Sequence, residues 1–194
     1  MSRLERLIGE VSAREAIRVD APGRPEAAVA VLLLADPARL LLIRRAERAG
    51  DPWSGQLALP GGRREPADDD LLATAIRETR DETGVILDPA WHVATLDDMA
   101  PRTTSLPPIL VRPFVFRLAV EQVPALNDEV ALARWVELDS LVQPGVFRPT
   151  PVSVRGAELT VAGYHLPEGF LWGMTERIVT PILQQWKGLR LDDN

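Results

Sequence analysis

The sequence predicts an α+β fold in which a mixed β-sheet lies between α-helices. Apolar runs of strand length and stretches of helical period both occur, without strict βα alternation. Of the 194 residues, 46% are hydrophobic, enough to bury a core in one domain. The 17 prolines fall mostly between the periodic segments, where they punctuate loops and form no low-complexity tract. The expected organisation is a single domain over 1–194, with a helix and linker at 1–25 and a core at 27–186.

In order along the chain, Leu4, Leu7, Ile8 and Val11 recur at helical spacing and predict an amphipathic helix over 2–14. Residues 21–26 read as a linker. The apolar run 27–34, the turn 35–39 and the run 40–45 read as a β-hairpin. Residues 46–62 are rich in Gly, Pro and Ser and read as a loop, with one extended piece at 56–59 and a turn at Pro60-Gly61-Gly62. A helix follows over 69–83. Asp68, Asp69 and Asp70 supply its N-cap and first-turn charge, Gly84 its stop, and Leu72, Ala75, Ile76 and Thr79 its inward stripe. Strands are expected at 91–96, 109–118 and 130–138, with a polar loop at 97–108 and a helical turn at 139–141. A hairpin over 152–161 turns at Arg155-Gly156, and a last helix spans 172–186.

Composition excludes several classes of function. The net charge is −6 and the pI about 5.0, a poor match for nucleic-acid phosphates or an anionic membrane. Local basic clusters could still hold a small anion. The absence of cysteine removes disulfides, thiolate zinc sites and cysteine nucleophiles. The N-terminus lacks the apolar core of a signal peptide, and the longest apolar run, 27–35, is far shorter than a membrane span, so a cytoplasmic location is expected.

The chemistry concentrates in Gly61 to Val85. Glu78, Asp81 and Glu82 stand three and four residues apart on the predicted helix, so three carboxylates share one turn. One reading is a solvated acidic face, relieved by Arg77 pairing with Asp81 and by Arg80. The other is a hard divalent cation, Mg²⁺ or Mn²⁺, which takes oxygen ligands and completes its shell with water and substrate phosphates. The glycines at 61 and 62 let backbone approach closely, and a glycine carbonyl there offers a further ligand. Upstream, Arg44, Arg45, Arg48 and Trp53 read either as surface charge around a half-buried indole or as a substrate wall. In the second reading they supply cations for phosphate and a ring to stack on a base. His92, His165 and Tyr164 lack ligand spacing and read as structural, and no nucleophile elbow is present.

Gly62, Arg77-Glu78, Asp81-Glu82 and Gly84-Val85 resemble the Nudix box, the loop-helix-loop signature of Nudix hydrolases. The chain departs from that pattern in four places. Its first acid is Asp68, Arg77 comes one residue late, Thr79 replaces an apolar residue, and Asp81 replaces a glutamate. The extra residue, together with Gln56 and Pro60-Gly61-Gly62 ahead of the box, resembles the coenzyme A pyrophosphatase branch. So does the Trp172-Gly173-Met174-Thr175 segment. The run before Gly55 keeps Leu41, Leu42 and an Arg but lacks that branch's Ser and His.

The resemblance implies a Nudix fold and metal-dependent hydrolysis of a diphosphate bond. The substrate would be a nucleoside diphosphate linked to another moiety, coenzyme A or a derivative first. ADP-ribose, a nucleotide sugar or a dinucleotide comes next, and a nucleotide-binding domain without turnover is the alternative. It implies Glu82 and Glu78 as metal and catalytic residues, with Asp81 and Gly62 as further ligands and Arg77 orienting the glutamates. Arg44, Arg45, Trp53 and Gln56 would meet substrate. Glu129, Asp97 and Asp98 are candidates for a base outside the box, Thr103, Thr104 and Ser105 for a loop near the site, and a homodimer for the assembly.

Overall fold

The structure, a computed structural model, describes residues 1–20, 22–50, 53–101, 108–154 and 157–191. The chain runs α1 (Arg3–Ala13), β1 (Glu26–Leu34), β2 (Arg39–Arg45), β3 (Leu57–Ala58), β4 (Gly61–Arg63), α2 (Leu71–Thr83) and a 3₁₀ turn (Pro89–Trp91). It continues through β5 (His92–Thr95), β6 (Leu110–Leu118), β7 (Val130–Glu137), α3 (Leu138–Leu141), β8 (Phe147–Val154), β9 (Ala157–Leu166), β10 (Gly169–Trp172) and α4 (Gly173–Leu191).

Strand β1 is the axis of a seven-stranded mixed sheet. It runs parallel to β6 along its whole length, from Glu26↔Leu110 to Leu34↔Leu118. The expected hairpin forms only beside its turn, where Leu33 and Leu34 pair with Leu40 and Arg39. Beyond that the strands diverge, and β2 pairs with β7 and, at Ile43 and Arg44, with β3. The edge of β1 so released is taken by β4, antiparallel to Ala27–Val29. The expected Pro60-Gly61-Gly62 turn is therefore a strand. The Ala30 N–H donates to the Pro60 carbonyl at 2.8 Å and the Arg64 N–H to that of Glu26 at 2.9 Å. Glycine is required there: a Cβ on Gly61 (φ +153°) would stand 2.2 Å from the Ala28 carbonyl oxygen.

Helices cover both faces of this sheet, as the sequence predicts. One face packs Ala28, Ala30, Leu32, Phe114 and Phe116 against Leu71 and Ala75 of α2. The other packs Val31, Leu33, Leu40 and Leu42 against Leu4 and Leu7 of α1 and Ile178, Ile182 and Trp186 of α4. Helix α1 starts with a capping box between Ser2 and Glu5. Arg3 ties it down, with its guanidinium 3.6 Å over the Trp186 ring and 2.9 Å from Asp139.

Helix α2 is capped by Asp70 alone, which accepts from the Ala73 N–H, and no acid lies in its first turn. Its buried stripe is Leu71, Thr74, Ala75, Thr79, Glu82 and Thr83; Leu72 and Ile76 are only half-buried. The stripe is turned from the expected one because the helix buries a carboxylate, Glu82, toward β4. The chain leaves through Gly84 in the left-handed conformation (φ +68°).

Strands β8, β9 and β10 form a second, antiparallel sheet. Its strands extend well beyond the expected 152–161 hairpin, whose Arg155-Gly156 turn lies outside the described residues. Tyr164 and Leu171 carry the inner end of this sheet into the core on the α4 side. Among the described residues, no helix is long and apolar enough to cross a membrane.

Candidate functional site

Helix α2 lies along β4, and its acids meet the glycine pair there. Glu82 is 2% exposed, and its Oε2 accepts the Gly61 N–H at 2.9 Å. Glu78, one turn earlier, stands over Gly62. A Cβ on Gly62 would fall 2.5 Å from the Glu78 carboxyl, so the missing side chain makes the space that the acid fills.

The register of β4 moves one expectation. In an antiparallel ladder a residue's N–H and C=O point to the same side, and alternate residues point opposite ways. The bonds at Pro60 and Arg64 set Gly62 facing Ala28. The Gly61 N–H reaches Glu82, and the Arg63 carbonyl accepts from Arg77 at 3.0 Å. The carbonyl edge open to α2 thus belongs to Gly61 and Arg63, and the expected Gly62 carbonyl is turned toward β1.

Arg77 organises the entry to the helix. Its Nε and Nη2 donate to the two oxygens of Asp68 at 2.9 and 3.0 Å, and its Nη1 to Glu78 at 2.9 Å. Asp68 is no helix cap. It is buried, and it also accepts from the Thr74 hydroxyl and the Glu65 N–H, each at 2.9 Å. The Arg77 hydrogen bonds hold its carboxyl well below the usual range, and Arg77 is raised in return.

Glu78 and Glu82 behave oppositely to Asp68. Burial pushes Glu82 up to about 7, against the Gly61 N–H, with the charges of Glu78 and Glu129 adding to the rise. Burial also raises Glu78, against Arg77. The cation nearest Glu82 in the ion pairs is Arg45, at 4.0 Å. Negative charge gathers here in excess of what the local cations offset.

The remaining expected residues divide. Asp81, on the same turn, stays 44% exposed in its side chain and pairs with Arg80 at 2.9 Å and Arg77 at 3.8 Å. It does not join Glu78 and Glu82 at the glycines, and among the described residues no three His, Cys, Asp or Glu form a metal cluster. Arg45 faces Glu82, whereas Arg44, one residue out of phase, is exposed. Gln56 and Trp53 are half-buried in the adjoining loop: the Arg45 N–H donates to the Gln56 carbonyl at 3.0 Å, and the Gln56 N–H to that of Trp53 at 3.3 Å.

Glu129, read from sequence as one of several loop acids, stands close enough for its charge to raise both Glu78 and Glu82. Arg48 holds it at 2.9 Å, and the Ala46 N–H donates to its carbonyl at 2.8 Å. Nothing in the local sequence marked it, because β7 brings it across from a distant part of the chain. Asp97 and Asp98 instead bind Arg14, Arg18 and Arg112. Thr103, Thr104 and Ser105 lie outside the described residues. His92 contacts Thr95 and Phe114, His165 contacts Thr150 and Phe170, and buried Tyr164 bonds Thr180, as structural readings of all three require.

The NUDIX domain family matches residues 24–154. An uncharacterised Nudix hydrolase, NudL, from Photorhabdus laumondii is 31% identical over 163 residues, covering 82% of this chain and 83% of that protein. Among solved structures, a MutT/nudix family protein from Enterococcus faecalis superposes with a TM-score of 0.57 at 18% identity, over 93% of this chain and 67% of that one. A bifunctional NMN adenylyltransferase/ADP ribose pyrophosphatase from Francisella tularensis, complexed with AMP and a Mn ion, gives 0.56 at 16% identity, over 86% of this chain and 43% of that one.

Proposed function

The chain belongs to the Nudix hydrolase family and is a pyrophosphohydrolase, and from that premise we propose that it cleaves the diphosphate of a nucleoside diphosphate joined to another moiety, coenzyme A or a derivative first. The observation that carries the reading is the meeting of Glu78 and Glu82 at a glycine pair, with too few cations to offset them.

These residues fit a divalent cation. The donors are all oxygen, which suits Mg²⁺ or Mn²⁺. Two carboxylates leave coordination sites for substrate phosphate, and Gly62 keeps the space clear for Glu78. Glu78 and Glu82 would hold the ion, with the backbone carbonyl at Gly61 as a further donor and Asp81 at the periphery. When bound, such an ion neutralises diphosphate oxygens and makes water more acidic.

The chain's own residues supply the rest. Attack of water on phosphorus needs a base for the proton and cations for the charge on the phosphoryl oxygens. Glu82 or Glu78 can take the proton, and Glu129 is a third acid beside them. Arg77 orients Glu78 and ties it to the β4 loop. Arg45 and Arg48 flank the acids on the substrate side, and the Trp53 ring offers a face for a base. Gln56 positions that loop, and Arg44 meets substrate only at the outer rim.

Coenzyme A is favoured because the residues from Gln56 to Asp68 resemble that branch. ADP-ribose is the competing substrate, drawn from the activity named for the Francisella neighbour. Incubation with Mg²⁺ or Mn²⁺ and coenzyme A, ADP-ribose, NADH or nucleoside triphosphates, followed by product analysis, separates the readings. Coenzyme A should give 3′,5′-ADP and phosphopantetheine at the highest kcat/KM. A higher value for ADP-ribose would displace coenzyme A, and turnover of none would favour a nucleotide sensor.

A further inference from the structure

The acids of the site stand on two different supports. Glu82 lies in the last turn of α2. Glu129 belongs to the frame of β2 and β7: its carbonyl accepts the Ala46 N–H at 2.8 Å, and the next residue, Val130, is the cross-strand partner of Arg45. Whatever holds the exit of α2 against β7 therefore sets how far Glu82 stands from Glu129. Residues 119–129, which join β6 to β7 with no helix or strand of their own, run between the two supports. Much of this segment is exposed, with Val120 at 73% and Val123 at 87%.

Gln122 and Ala125 fasten the segment to the exit of α2. The Gln122 carboxamide meets Ile86 twice: its Oε1 accepts the Ile86 N–H at 2.9 Å, and its Nε2 donates to the Ile86 carbonyl at 2.9 Å. A carboxamide presents a donor and an acceptor side by side, so this side chain pairs with Ile86 as a strand would. The backbone carbonyl of Gln122 accepts the indole N–H of Trp135, on β7, at 3.2 Å. One residue thus bridges the helix exit and β7. Three residues on, the Ala125 N–H donates to the carbonyl of Thr83, which follows Glu82 directly, at 2.7 Å. Gly84 makes room for that contact, since a Cβ there would stand 3.1 Å from both the Cβ and the carbonyl oxygen of Ala125.

We propose that Gln122 is a positioning residue for the acid site: by clasping Ile86 and Trp135 it holds the exit of α2 on β7 and so fixes Glu82 relative to Glu129. Gln122 bonds to neither acid and acts through the backbone that carries them. Ile86 is 57% exposed, so water can take over its N–H and carbonyl when the carboxamide is removed. What the clasp supplies is position more than burial. The inference rests on the reading that Glu129 works beside Glu78 and Glu82.

Gln122→Ala should unfold in urea close to the native midpoint and exchange its Ile86 and Ala125 amide hydrogens faster. Mn²⁺ binding, titrated without substrate, should weaken about tenfold, with a similar fall in kcat. Gln122→Glu keeps the acceptor for the Ile86 N–H and loses the donor, and it should fall between. Val123→Ser, adjacent but outside the clasp, should match the native chain. A double-mutant cycle with Glu129→Gln isolates the role. In that background Gln122→Ala should cost little further in Mn²⁺ affinity or kcat, because the acid whose distance it sets has already lost its charge. Losses that multiply in full would give Gln122 no part in placing Glu129 and overturn the proposal. So would an equal loss in Val123→Ser. A defect in Glu129→Gln with none in Gln122→Ala removes Gln122 and leaves the site reading standing. Native Mn²⁺ affinity and turnover in Glu129→Gln removes the premise itself, and the proposal with it.

Discussion

Asp98 and Glu82 are both buried carboxylates, and they are treated in opposite ways. Burial pushes Asp98 up, but hydrogen bonds from Arg112 and the Val19 N–H, with the charge of Arg18, outweigh it and hold the carboxyl below its ordinary value. Glu82 receives the Gly61 N–H and a distant Arg45, and burial keeps it raised to about 7. A buried acid that is fully partnered is a structural clamp. One left under-partnered beside a second acid keeps a raised carboxyl, the charge imbalance that the proposed divalent cation would relieve. Burial alone does not distinguish the two; the count of donors does.

Four substitutions break or sharpen that contrast. Asp98→Ala leaves Arg112 and Arg18 without their shared acid. It should cost about 3 kcal/mol in urea unfolding, the low end for a broken buried pair because both cations keep some water contact. Turnover per folded molecule should be unchanged; a large loss of kcat would make Asp98 part of the site. The clamp also has a pH signature. Asp98 has a depressed folded pKa, so its contribution is complete above the unfolded value of about 3.9 and is lost as pH falls below it. The stability difference between the native chain and Asp98→Ala should therefore shrink on acidification below pH 4, and a difference independent of pH would contradict the clamp.

Glu82→Gln keeps an acceptor for the Gly61 N–H and removes the charge. Turnover should fall about a hundredfold, equivalent to about 2.7 kcal/mol in the barrier. Melting temperature should hold or rise, since a raised carboxylate has been removed. Full turnover would dismiss Glu82 from the chemistry. Gly62→Ala puts a methyl where the Glu78 carboxyl lies. About a tenfold loss of kcat is expected from displacing that acid; unchanged kinetics would show that Glu78 is not held at this place. Trp53→Ala is the smallest. If the indole stacks on a base, KM should rise about fivefold, from about 1 kcal/mol of lost ring contact. A lower melting temperature with unchanged KM would assign the ring to packing.

Much of this contrast was legible along the chain in one half and invisible in the other. The acids on α2 repeat at helical spacing next to a glycine pair, so the Glu78 and Glu82 constellation is local and reads directly from order and period. Asp97 and Asp98 looked from sequence like possible bases of the same kind. Only the fold shows their cations, because Arg14 and Arg18 come from the N-terminal segment and Arg112 from β6. Glu129 was underweighted for the converse reason: its neighbours at the site are all distant in sequence.

By itself the sequence determined most of the elements, an aspartate N-cap and the Gly84 stop of the acidic helix, the sheet-between-helices class and the family of that helix. These depend on period, capping chemistry and composition, which act over a few residues. The tertiary structure alone decided that β1 pairs in parallel with β6 while β2 diverges, and that the glycine pair is a strand whose Gly61 faces the helix. It also decided that Asp81 is left outside. Each of these depends on which hydrogen-bonding edge meets which partner. Alternation along a strand offers two choices at every residue, and only contacts between distant segments select one.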